Sequence, residues 1–173
     1  VLNGLYEFMN QKYRDRNEIE AEYPRIVEAY SAGKFPPPIV RGLRSILREV
    51  GNAPLIVRSS SLLEDNFGYA FSGKYESCFC PNQGTLEENL EALQSAIRSV
   101  YASVLNPDAL FYRRQHGLLD YDERMAILLQ KVEGQRRGDF FYPTLAGVAF
   151  SRNPHRWNPR IRPEEGFVRL VVG

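Results

Sequence analysis

A short apolar run, Leu55-Ile56-Val57, breaks directly into Arg58-Ser59-Ser60-Ser61, and about a dozen residues later an aromatic-flanked turn, Ser72-Gly73-Lys74, opens a second apolar run. Two strand-like ends joined through polar residues and a glycine offer an oxyanion one guanidinium, several hydroxyls and a close backbone approach. Phosphate is the obvious guest. The same letters also describe a hairpin whose polar residues face water. Arg58 is the strongest single candidate, because a charge directly after three apolar strand residues is rarely decorative. A surface ion pair with Glu64 or Asp65 is its competing explanation.

The rest of the chain predicts a mixed α/β domain with four helical segments and about five strands. Leu2, Leu5, Phe8, Met9 and Tyr13 sit at helical spacing over 2–14, and Ile19, Tyr23, Ile26, Val27 and Tyr30 continue it to Gly33, weakened by Pro24. Pro36-Pro37-Pro38 launches a helix that Gly51 closes. The best-specified helix covers 86–105, with Thr85 as its N-cap, Glu88 completing a capping box, and a stripe of Leu86, Leu90, Leu93, Ile97, Tyr101 and Val104. Asn106-Pro107-Asp108 starts a shorter helix to Gly117. Met125–Val132 and Leu145–Phe150 carry apolar residues on both faces, as interior strands do, and Gly147 admits another backbone. Residues 70–80 and 167–172 complete the strands, while 134–138 and 153–163 read as loops.

Composition excludes several functions. With 22 basic and 21 acidic residues in 173, the net charge of +1 gives no global field for nucleic acid or an anionic membrane. No apolar stretch approaches the roughly 20 residues that span a bilayer. The two cysteines, Cys78 and Cys80, lack the second ligand pair of a structural zinc site; they read as free thiols facing one way from a strand, in a reducing, cytoplasmic setting. The Arg-rich stretch from Arg152 to Arg169 reads as a solvated loop surface. Val1 in place of Met, and a glycine after the last apolar run, suggest an excised piece.

Val57-Arg58-Ser59-Ser60, Glu64-Asp65, Phe71-Ser72-Gly73 and Glu76 resemble the nucleotide-binding domain of the phosphoenolpyruvate synthase and pyruvate phosphate dikinase family. Tyr101-Ala102-Ser103-Val104 with Tyr112-Arg113, Leu129-Gln130-Lys131-Val132, and Gly147-Val148-Ala149-Phe150-Ser151-Arg152-Asn153-Pro154 follow in the family's order. The resemblance spans about residues 54–154, with Leu170-Val171-Val172-Gly173 as a fifth block. It implies an ATP-grasp-like α/β fold truncated at both ends, with residues 1–53 a helical segment and 54–173 an incomplete nucleotide-binding core. ATP and Mg²⁺ are the implied cofactors. Arg58, Ser59 and Ser60 would meet the phosphates, Ser72, Gly73 and Lys74 would form a lid over them, and Gln130, Lys131 and Val132 would receive adenine, largely through main-chain groups.

The same resemblance implies transfer of phosphate from ATP to pyruvate through a phosphohistidine, with the swivelling histidine domain and the pyruvate-binding domain of a longer chain as partners. Here the sequence departs from the family pattern at Lys74, where relatives carry Gln, at Ser77, where they carry Thr, and at Asn66 to Ala70. The glycine-rich lysine block and the acidic metal-binding block have no match, and neither His116 nor His155 stands in the carrier context. A catalytic residue is therefore expected nowhere in this piece, which should be inactive alone. A glucan dikinase, an antibiotic phosphotransferase, an ATP-sensing regulatory module and a purely structural domain are the alternatives.

Overall fold

Capping chemistry and proline placement set the helices. The computed structural model describes residues 5–64, 73–121, 123–153 and 158–172, and within these the chain divides into two compact units, 1–132 and 133–173.

In the first unit, helix α1 (Arg16–Ser31) starts at Asp15, whose carboxylate accepts the Glu18 N–H while the Glu18 carboxylate accepts the Asp15 N–H. The helix runs through Pro24, an interruption that costs about 3 kcal/mol in a helix interior. Burial of Ile19 and Ile26 against Phe8, Leu105 and Leu110 works against that cost. Before α1, Leu5–Tyr13 form 3₁₀ turns in place of the α-helix predicted over 2–14. Phe8 and Gln11 are both buried, and a three-residue repeat is what stacks them on one side.

Helix α2 (Pro37–Val50) has proline in its first turn and ends at Gly51, whose φ of 66° favours glycine. Helix α3 (Leu86–Ala102) carries the expected capping box between Thr85 and Glu88. Its last turn tightens into a 3₁₀ turn, Ser103–Leu105, before Asn106 caps α4 (Pro107–Gln115).

Strands β1 (Leu55–Ser61), β2 (Ser77–Cys80) and β3 (Met125–Lys131) form an antiparallel sheet in the order β2-β1-β3. Leu55 pairs with Cys80 and Lys131, and Arg58 with Ser77 and Leu128. One face packs on the helices: Leu55, Val57 and Cys80 join Leu43, Leu47, Leu90, Leu93, Ala96, Ile97 and Val100 in the core. The expectation that β3 is covered on both sides is not met within this unit. It stands at the sheet edge, Ile127 and Leu129 pack against the core, and Leu128 is exposed. Asn82, with a φ of 56°, is buried and its side-chain amide donates to the Gly51 and Ala53 carbonyls at 2.6 and 2.9 Å.

Among the described residues, the second unit holds two antiparallel strand pairs and a 3₁₀ turn at Pro163–Glu165. Strands β4 (Gln135–Arg137) and β5 (Phe140–Tyr142) pair where the sequence predicts a loop over 134–138. Strands β6 (Leu145–Phe150) and β7 (Phe167–Val172) pair along their full length, with Phe150 and Phe167 stacked at a 4.6 Å centroid distance. Gly147 does admit another backbone, since a side chain there would meet the Arg169 carbonyl oxygen. Every β6 residue is exposed within the described structure, in contrast to the interior strand that its composition predicts. Among the described residues, no helix is long and apolar enough to cross a membrane.

Candidate functional site

The two-residue period of β1 sorts the polar cluster between opposite faces of the sheet. Leu55, Val57, Ser59 and Ser61 point toward the helices, while Ile56, Arg58 and Ser60 point to the open side. Register brings five further residues to that open side: Ser77 and Phe79 from β2, and Ala126, Leu128 and Gln130 from β3. Arg58 Nη1 donates to Gln130 Oε1 at 3.3 Å, joining two predicted site residues 72 positions apart in sequence. A guanidinium has five N–H donors in a rigid fork, so a bond to one amide leaves capacity for a further anion.

Ser59 does not join this group. Its hydroxyl donates to Glu64 Oε1 at 2.9 Å, and Glu64 Oε2 accepts the Ser61 N–H at 3.2 Å while the Glu64 N–H donates to Ser61 Oγ. Glu64 thus closes the turn after β1, on the side of the strand opposite to Arg58. Turn chemistry accounts for it, rather than an ion pair with that arginine. Asp65 and Ser72 lie outside the described residues, as does Phe71. Gly73 adopts a φ of 78°, which favours glycine. Lys74 is half-buried, with Nζ 5.1 Å from the Tyr112 ring centroid on α4. A cation–π contact is therefore one assignment for this residue.

Lys131 lies on the same register side as Leu55 and is exposed. Val132 is half-buried, and its N–H donates to the Pro54 carbonyl at 2.9 Å. That N–H is engaged within the sheet and is not offered to a purine edge. Of the three residues expected to receive adenine, Gln130 is the one whose side chain shares the open face with Arg58.

Behind β1 lies a polar group that serves the fold. Arg113, buried at 4% exposure, donates to the carbonyls of Leu118, Leu119 and Tyr121 and holds the turn that follows α4. Burial raises the Tyr75 hydroxyl pKa, and the neighbouring Glu123 carboxylate adds to the shift. Burial likewise raises Glu123, beside Ser61, Arg113, Glu64 and Tyr75. Cys78 and Cys80 face the core as the C-x-C spacing predicts, and burial raises both thiols, which keeps them protonated and unreactive. His116 ends α4 with its ring 4.3 Å from that of Tyr112. His155 lies outside the described residues.

The sequence alone does not place Ser77, Phe79 or Leu128 in the site. Only the register reveals their company, although the alternation in Ser77-Cys78-Phe79-Cys80 is itself a signal that Phe79 turns away from the core. Over residues 2–173 the chain matches the family model described as pyruvate phosphate dikinase, AMP/ATP-binding domain. It belongs to that family. It is also 30% identical over 141 residues to phosphoenolpyruvate synthase of Escherichia coli (strain K12), an alignment covering 79% of this chain. The match spans 15% of that relative's length.

Membership in an AMP/ATP-binding family makes the Arg58 face the natural place to test for a nucleotide. An exposed guanidinium beside a side-chain amide fits an anionic ligand carrying a hydrogen-bonding base. Among the described residues, no group of three or more His, Cys, Asp and Glu side chains is arranged to hold a metal ion.

Proposed function

We propose that this chain binds ATP on the open face of the β1–β3 sheet, as the nucleotide-binding part of an enzyme of the phosphoenolpyruvate synthase and pyruvate phosphate dikinase type. The observation that carries this reading is the hydrogen bond between Arg58 and Gln130 on that face. Arg58 contacts phosphoryl oxygens, Ser60 and Ser77 contribute hydroxyls from either side of it, and Gln130 borders the base. Mg²⁺ arrives with the nucleotide, where it offsets the charge of the phosphates. Gly73 and Lys74, together with Ser72, which lies outside the described residues, are the remaining phosphate contacts of this reading.

The parent enzyme passes phosphate from ATP to a histidine on another domain and from there to pyruvate. In such a reaction the contribution of this chain is alignment and charge neutralisation, which are the main demands of phosphoryl transfer. It supplies no attacking group.

Calorimetric titration of the intact protein with Mg-ATP tests the reading. Saturable binding is expected, and Arg58→Ala should weaken it by about 10- to 100-fold, the scale of a charge-assisted hydrogen bond. Absence of binding in the wild type, or equal affinity in the two proteins, would overturn it.

A further inference from the structure

The open face carries an aromatic side chain for which the phosphate contacts have no use. Phe79 is 70% exposed, although it sits within a strand whose flanking cysteines both face the core. Register places Phe79 opposite Ile56, and Ile56 opposite Gln130, so these three form one row across the sheet. The next row is Ser77, Arg58 and Leu128, with Leu128 also exposed at 42%. Single exposed apolar residues are ordinary on protein surfaces. Here two of them, Phe79 and Leu128, flank the half-buried Ile56 around a guanidinium and an amide.

From this juxtaposition we infer that Phe79 is the stacking platform for the purine of the bound nucleotide. The inference rests on the nucleotide-binding reading above and adds to it the group that recognises the base. Diagonal neighbours in an antiparallel sheet lie about 7–8 Å apart, somewhat less at Cβ, a spacing that one ribose bridges between a base and its first phosphate. With phosphates at Arg58, the base therefore comes over the row that holds Phe79 and Ile56. Its flat face meets the phenyl ring, and Gln130, at the other end of the row, offers both a donor and an acceptor to its edge. Stacking accepts any base but favours the larger ring system, so purine nucleotides bind more tightly than pyrimidine nucleotides of equal charge.

The test separates base from phosphate. The intact wild type, Phe79→Ala and Phe79→Trp are titrated with Mg-ATP and with inorganic tripolyphosphate. Phe79→Ala should lose about 5- to 100-fold in ATP affinity, the range for one base–aromatic stack, and keep its tripolyphosphate affinity within about twofold. Phe79→Trp should retain ATP binding and show indole quenching with ATP but not with tripolyphosphate, measured against wild type, which contains one tryptophan. Unchanged ATP affinity in Phe79→Ala would overturn the inference, as would equal loss for both ligands. Failure of the wild type to bind ATP at all refutes the nucleotide-binding reading itself, an outcome distinct from either of these.

Discussion

Val57 and Arg58 are sequence neighbours on β1, yet one is 0% exposed against the helices and the other projects from the opposite face of the same sheet. The covered face is apolar and closed: Leu93, Val100 and Val57 exclude water, and the polar groups at its margin are held by Glu64 and Arg113. On the open face apolar and polar side chains alternate, with Phe79 and Leu128 beside Arg58, Ser77 and Gln130. A surface meant only for water has no need of Phe79, and one meant only for packing has no need of Arg58. The contrast teaches that the helices and the covered face determine whether the unit folds, whereas on the proposed reading the open face determines what it holds.

The contrast can be broken most forcefully from the covered side. Leu93→Ala removes a fully buried side chain and should cost about 2–5 kcal/mol, lowering Tm by roughly 10 °C. ATP affinity measured while the variant is still folded should be unchanged; a selective loss of affinity would show that the two faces are not independent. A smaller effect is expected from Thr85→Ala, which opens the capping box of α3 and should cost about 1 kcal/mol, or about 2–4 °C in Tm.

The smallest expected effect concerns pH. Burial raises Glu123 above its ordinary value of 4.5, so the native state binds more protons than the unfolded state just above that value. Stability contributed by this group is therefore greatest at low pH and falls as pH rises through the raised pKa. Glu123→Gln removes the dependence. Urea midpoints between pH 4 and 7 should place the variant modestly above wild type at the upper end and converge with it at the lower end. A wild-type advantage at pH 7 would mean that the charge is better compensated by Arg113 than burial alone suggests.

Local rules made much of this architecture legible. Thr85 and Glu88 announce α3, the three prolines and Gly51 bracket α2, and short apolar runs mark β1, β3, β6 and β7. Arg58 stood out because it interrupts such a run. Adjacency groups Ser59 and Ser60 with it, although strand alternation alone sends Ser59 to the side of Val57. The β4–β5 hairpin is hard to read from sequence because Gln135, Arg136 and Arg137 carry no apolar alternation, and the Gly138-Asp139 turn is its one local signal. The 3₁₀ turns over Leu5–Tyr13 share their apolar spacing with an α-helix, so hydrophobic pattern cannot separate the two. Register is a tertiary property: nothing local to Ser77 or Phe79 reveals that they stand beside Arg58 and Ile56.

Asn82 has a consequence for how this chain can be re-engineered. With one amide it rivets the corner before α3 to the corner between α2 and β1, and its left-handed backbone sets the bend in its own corner. Glycine would keep the bend but drop the rivet, and aspartate would bring a carboxylate to two carbonyl oxygens. Splices, tags or permuted termini placed in either corner must therefore preserve both, which makes these two short turns the wrong sites at which to cut the domain.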